Sequence, residues 1–85
     1  MTTTTATEVQ DRITHILRGE AQVEADITPS SDLLRDLELD SMSLTVLMVG
    51  LEDHYRVRLD GEDAAGVSTV ADLAALVVRK LEAAP

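Results

Sequence analysis

Asp40-Ser41-Met42-Ser43-Leu44-Thr45-Val46-Leu47-Met48-Val49-Gly50-Leu51-Glu52-Asp53-His54-Tyr55 is the stretch from which the rest of the chain is placed. Its apolar positions Leu44, Leu47, Met48, Leu51 and Tyr55 recur at i, i+3, i+4, i+7 and i+11, which lines one face of an α-helix. Asp40 stands where an N-cap belongs, because its short carboxylate can accept from the first unpaired backbone N–H groups. A helix over 41–55 is therefore expected. On its N-terminal side, Val9, Ile13, Ile16 and Leu17 fall at i, i+4, i+7 and i+8 and predict a helix over 8–18. Thr5 and Glu8 are spaced as its capping box, and Gly19 is expected to stop it. On the C-terminal side, Val70, Leu73, Ala74, Val77 and Leu81 define a last helix capped by Ser68 or Thr69, with Thr69 and Asp72 as a capping box.

Between these helices the patterns are weaker. Glu20 to Asp40 is broken by Pro29 and by Ser30-Ser31-Asp32, and its apolar residues Val23, Ile27, Leu33, Leu34 and Leu37 keep no period. A connection of that length is expected to be pinned to the core by those side chains and to hold a helical turn over 31–37. Arg56 to Leu59 alternates but has no partner strand, so it is expected as extended loop ending in a turn at Asp60-Gly61. The acidic run Glu62 to Val67 is expected to form a short third helix. The fold class is all-α: a four-helix bundle of three main helices and one short one, with a long loop between the first two. Residues 1–5 are expected as a frayed polar lead-in, 6–82 as one domain and 83–85 as a tail. Periodicity leaves open whether helices one and two run parallel or antiparallel.

Composition narrows the function. The 85 residues hold 7 Lys plus Arg against 16 Asp plus Glu, a formal charge of −9. Such a domain is repelled by a nucleic-acid backbone or an anionic membrane surface, so neither is expected as a partner, whereas basic protein surfaces are. Tyr55 is the only aromatic residue, which removes a stacking platform for nucleotides and makes the core aliphatic. With no Cys, disulfides, thiolate metal sites and cysteine nucleophiles are excluded, which fits a cytoplasmic setting. The opening Met-Thr-Thr-Thr-Thr-Ala-Thr run lacks the basic flank and apolar region of a signal peptide, and no apolar stretch is long enough to span a bilayer. A monomer is expected.

Ser41 is the residue with chemical promise. It lies just inside the start of helix two, where free N–H groups and the positive end of the helix dipole favour a phosphate ester on its hydroxyl. On physics alone, Asp40 and Ser41 are also an ordinary helix cap.

Ile27-Thr28-Pro29, then Leu33 and Leu37, then Asp40-Ser41-Met42, Leu47, Leu51-Glu52-Asp53 and Tyr55, closing with Val67-Ser68-Thr69-Val70-Ala71-Asp72-Leu73, resembles an acyl carrier protein. The likeness runs in register from about Val9 to Leu81, loop lengths included. It implies a right-turning bundle in which helix one opposes helices two and four. It also implies that Ser41, following Asp40, carries a 4'-phosphopantetheine placed by a phosphopantetheinyl transferase using coenzyme A. The thiol of that arm holds the cargo as a thioester, and a chain without cysteine needs the arm to supply that thiol. The implied partners are the transferase, an acyltransferase or adenylating loading enzyme, and a ketosynthase or other condensing enzyme. The protein itself is then not an enzyme.

One feature departs from the family pattern. Fatty-acid-type carriers have an acidic outward face on helix two, but here that stripe reads Met42, Ser43, Thr45, Val46 and Val49, and only Glu52 and Asp53 keep charge. Exposed contiguous apolar surface marks an interaction site. Val46 and Val49 are expected to add affinity for a cognate enzyme, and Arg35, in the preceding loop, to pair with a neighbouring acid or touch the partner. The stripe points to a carrier in a specialised polyketide, nonribosomal peptide or hybrid pathway, with acyl, aminoacyl and peptidyl cargo left open. Shelter for an apolar cargo is expected between helices two and three.

Other candidates are weaker. Ser41 as a hydrolase nucleophile lacks a Gly-x-Ser-x-Gly elbow, and neither His15 nor His54 is spaced to serve it as a base. Asp32, Asp36, Glu38 and Asp40 lack the glycine and terminal glutamate of a calcium loop and are expected as solvated surface. Arg56, Arg58, Arg79 and Lys80 are expected to relieve charge. The alternative function is an unmodified acidic helical adaptor that binds a basic or apolar partner through helix two.

Overall fold

The computed structural model describes residues 4–83; the lead-in before Thr4 and the tail after Ala83 lie outside the described residues. Four helices follow in chain order, α1 (Ala6–Gly19), α2 (Ser41–Tyr55), α3 (Gly61–Ala65) and α4 (Val70–Ala83). Among the described residues there is no strand, only an isolated antiparallel bridge between Asp32 and Thr69.

Each helix begins where a side chain satisfies amides that have no carbonyl one turn back. For α1 that side chain is the Thr5 hydroxyl, which accepts from the Glu8 amide at 3.2 Å and starts the helix at Ala6, two residues before the expected start at Glu8. Only this half of the expected box forms. In α2 the Asp40 carboxylate accepts from the Ser43 amide at 2.7 Å, and the helix spans the residues its periodicity predicts. Asp60 and Asp63 cap α3 reciprocally at 2.9 and 3.2 Å, so Asp60-Gly61 is a helix start and not the expected turn. Thr69 and Asp72 form the box expected for α4, each bond 3.1 Å.

The helix ends correct the sequence in two places. Gly19 is the last helical residue of α1 and not its stop; the chain turns back at Gln22, whose φ is 56°, while Glu20 and Ala21 both donate to the Ile16 carbonyl. Arg56, with φ 58°, ends α2 in the left-handed conformation that glycine usually supplies.

The core is aliphatic throughout, and α1 packs against both α2 and α4. Val9, Ile13, Ile16 and Leu17 from α1 meet Leu47 and Leu51 from α2, and Val70, Leu73, Ala74, Leu76 and Val77 from α4. Of the expected α2 core face, Leu44, Met48 and Tyr55 are only half-buried. Clefts lined by Glu8, Arg12, His54 and Tyr55 at one end, and by Gly19, Glu20 and Gly50 at the other, set α1 and α2 antiparallel.

The long connection is ordered by the backbone of another element. Val70 and Ala71, at the start of α4, donate to the carbonyls of Ser31 and Pro29 at 3.1 and 2.9 Å, and Leu33 donates to the Ser68 carbonyl at 2.9 Å. Leu33, Leu37 and Leu39 are thereby buried, and Val23 and Ile27 pack against the core more loosely. Leu34, expected to pin the loop, is instead 63% exposed. The turn after Asp32 carries Leu33 and Leu37 inward, and the intervening Leu34, Arg35 and Asp36 are exposed.

Gly50 packs closely on α1. A Cβ there would lie 3.0 Å from Ile16 Cδ1, the movable end of a side chain. Gly50→Ala should therefore stay within about 1 kcal/mol of the parent, helix propensity offsetting a small shift of Ile16. Gly50→Leu should cost about 1–3 kcal/mol by prising the helices apart. Urea unfolding of both variants checks this, and a Leu variant as stable as the parent would contradict the close packing.

Candidate functional site

The region around Ser41 is built by three consecutive constraints. Leu37 and Leu39 are both buried, so the chain between them is held at each end. Glu38 has φ 52°, a left-handed residue that reverses the chain, and the Leu39 amide donates to the Leu33 carbonyl at 3.1 Å. Asp40 then caps α2, and Ser41 is its first residue, exposed to solvent.

The Ser41 hydroxyl makes no hydrogen bond among the described residues, and neither do the amides of Ser41 and Met42. Its carbonyl accepts from the Thr45 hydroxyl at 2.7 Å. The first amide to be satisfied is that of Ser43, whose bond to Asp40 holds that carboxyl below its ordinary value of 3.8. A free hydroxyl beside two free amides at a helix start suits a phosphate ester, because the amides and the dipole face the added charge. Among the described residues, neither histidine stands beside it. His54 is on the same helix but about 20 Å further along at 1.5 Å per residue, its ring edge-on to Tyr55 at 4.7 Å. His15 lies with His54 in the α1–α2 cleft.

The acidic residues before α2 work on the backbone. Asp32 Oδ1 accepts from the Leu34 and Arg35 amides at 2.9 and 2.8 Å, and Asp36 Oδ2 accepts from the Asp32 amide at 2.7 Å. This is the helical turn expected over 31–37. Arg35 itself is exposed, and the ion pair found among the described residues is Lys80–Asp63.

On α2, Met42 is 75% exposed and Val49 54%, with Thr45 and Asp53 also exposed. Val46 differs from the sequence expectation: it is half-buried and packs against the core. Glu52 differs as well. Its Oε2 accepts from the Leu59 amide at 2.8 Å, tying the end of α2 to the following loop and leaving Leu59 buried. The spacing of an acid seven residues before a loop leucine carries no motif, so nothing along the chain signals it.

Between α2 and α3 lies an apolar cavity of about 60 Å³, lined by Leu34, Leu44, Met48, Ala64, Val67 and Leu73 among others. That is room for roughly two water-sized groups.

Residues 11–77 match the family model described as the phosphopantetheine attachment site. The chain belongs to the acyl carrier protein family. It is 37% identical over 79 residues to the meromycolate extension acyl carrier protein of Mycobacterium tuberculosis, a match covering 92% of this chain and 68% of that one. It is 36% identical over 86 residues to acyl carrier protein MbtL of Mycobacterium sp. strain MCS, across 100% of this chain and 97% of the relative. An acyl carrier protein of Rhodococcus erythropolis is 39% identical over 59 residues, covering 69% of this chain and 64% of its own length. The four-helix bundle is thus an acyl carrier fold, and the group the family bears is a covalently attached 4'-phosphopantetheine. No helix among the described residues of this carrier is long and apolar enough to cross a membrane.

Two predictions test the site. The Asp40 carboxyl is depressed in the fold, so its capping contributes fully above about pH 3.8 and is lost as pH falls through its lower folded value. Asp40→Ala should lower the melting temperature at pH 7, and the gap from the parent should close below that value; a gap constant down to pH 2 would contradict the cap. Glu52→Ala should cost about 1–3 kcal/mol by stranding the part-buried Leu59 amide, and Glu52→Gln much less, both read by urea unfolding.

Proposed function

We propose that the Ser41 hydroxyl carries the 4'-phosphopantetheine arm, and that the protein presents acyl, aminoacyl or peptidyl intermediates on that arm as thioesters. The observation that supports this most directly is the free, exposed hydroxyl beside two unpaired amides at the start of α2. A phosphopantetheinyl transferase would add the arm from coenzyme A, with Asp40 holding the helix start rigid for it. The chain needs no catalytic group of its own, and among the described residues neither histidine is placed beside Ser41 to make it a nucleophile in hydrolysis.

The loading and condensing enzymes would approach along α2, since any enzyme that receives the arm must come up to Ser41. Met42 and Val49 supply exposed apolar contact there, Thr45 and Asp53 polar contact, and Arg35 stands in the preceding turn. Val46 backs this face from a half-buried position, and Glu52 contributes mainly by fixing the loop behind it. An apolar stripe on a domain of charge −9 favours a few dedicated partners over a general fatty-acid system. Service in a specialised polyketide or peptide pathway fits that pattern, and one relative is named a meromycolate extension acyl carrier protein.

The test is intact-protein mass after incubation with coenzyme A and a broad-specificity phosphopantetheinyl transferase. One added phosphopantetheine is expected on the parent and none on Ser41→Ala; addition to the Ala variant, or none to the parent beside a modified control carrier, would overturn the assignment. On the modified protein, Val49→Glu should slow transfer to the cognate enzyme several-fold with the fold intact by circular dichroism. Unchanged transfer kinetics would remove the stripe from the interface.

A further inference from the structure

Helix α3 is the least anchored element of the fold. It has five residues, none of them buried, and a helix of that length does not hold itself in water. Ala64, with Val67 just beyond the helix, rests on the α2–α3 cavity and gives only partial burial. The charged tie from α3 to the bundle is Asp63. Its Oδ2 accepts from the Asp60 amide at 3.2 Å within the α3 cap and from Lys80 Nζ, in the last turn of α4, at 2.9 Å.

Lys80 is also the only lysine among the 85 residues; the other six fixed cations are arginines. The distinction is chemical. An amine can be acylated and lose its charge, whereas a guanidinium stays charged and unreactive under the same conditions. The Lys80 side chain is 35% exposed, open enough for a small acyl donor to reach it.

We propose that the Lys80–Asp63 pair is a charge latch holding α3 to α4, and that acylation of Lys80 by an acyl thioester releases it. In that step the neutral ε-amine attacks the thioester carbonyl, the amide C–N bond forms as the C–S bond breaks, and the thiol leaves. The proton of the former ammonium goes to solvent. The product amide is uncharged, so Asp63 keeps its capping bond and loses its ion pair. The latch also protects itself, because Asp63 favours the protonated form of Lys80, which cannot attack. Release would widen the α2–α3 cleft. That consequence for a cargo rests on the carrier assignment, but the latch does not.

The test is hydrogen exchange on the full chain without any arm, so its failure is independent of Ser41. The amides of Asp63, Ala64, Gly66 and Val67 are all bonded within or just after α3 and report its opening. They should exchange several-fold faster in Lys80→Gln and in protein whose lysine has been acetylated with an N-acetoxysuccinimide reagent. Lys80→Arg should match the parent, and amides at the buried Leu17, Leu47 and Val77 should not change in any of them. Unchanged α3 exchange in both neutralised forms would overturn the latch. So would a rise shared equally by the core amides, which is general destabilisation. Acetylation of Lys80 by an acetyl thioester should run several-fold faster in Asp63→Asn than in the parent, measured against a free lysine peptide in the same tube. Equal rates would overturn the protection by Asp63.

Discussion

The first amides of α4 have no helical carbonyls to meet, and the long loop provides them. Ser31 and Pro29 accept from Val70 and Ala71, and Ser68 accepts from Leu33 in return. This exchange of backbone hydrogen bonds turns 21 residues without a helix into a fixed strap across the bundle. Its partners are main-chain groups that would otherwise be stranded near the core, so the arrangement costs more to break than a comparable set of surface contacts. From that strap follow the burial of Leu33, Leu37 and Leu39, the reversal at Glu38 and the placing of Asp40 and Ser41 at the start of α2.

The molecule sets a capped helix start, where we propose the arm is attached, beside a loosely held neighbour. Ser41 sits on a helix start that is capped by Asp40 and flanked by buried leucines, while α3 across the cleft buries no residue. A carrier needs its proposed attachment point presented in one geometry to several enzymes, and a small apolar cleft beside it that can adjust. The aliphatic core permits both, since it holds α1, α2 and α4 together without depending on α3.

Much of this was legible in the sequence because it is periodic or local. The bounds of α2 follow from the Leu44 to Tyr55 pattern and from Asp40, and the Thr69–Asp72 box appears as its spacing implies. Failures fall where a residue's fate is set from afar. Leu34 looks like core by composition, yet the turn built on Asp32 faces it outward. Val46 reads as outward on a helical wheel, yet the neighbouring elements cover half of it. Glu52 reads as a charged contact, yet its carboxylate meets the amide of Leu59.

The sequence by itself determined the three main helices and the residues that cap them, the aliphatic core and the family, because these depend on spacing along the chain and on the chemistry of single residues. Only the tertiary structure decided that α1 and α2 are antiparallel, that the loop is strapped to α4 and that Lys80 reaches Asp63. Those features join residues distant in sequence through hydrogen bonds and charges that carry no periodic signature. They exist only once the core has brought the partners together.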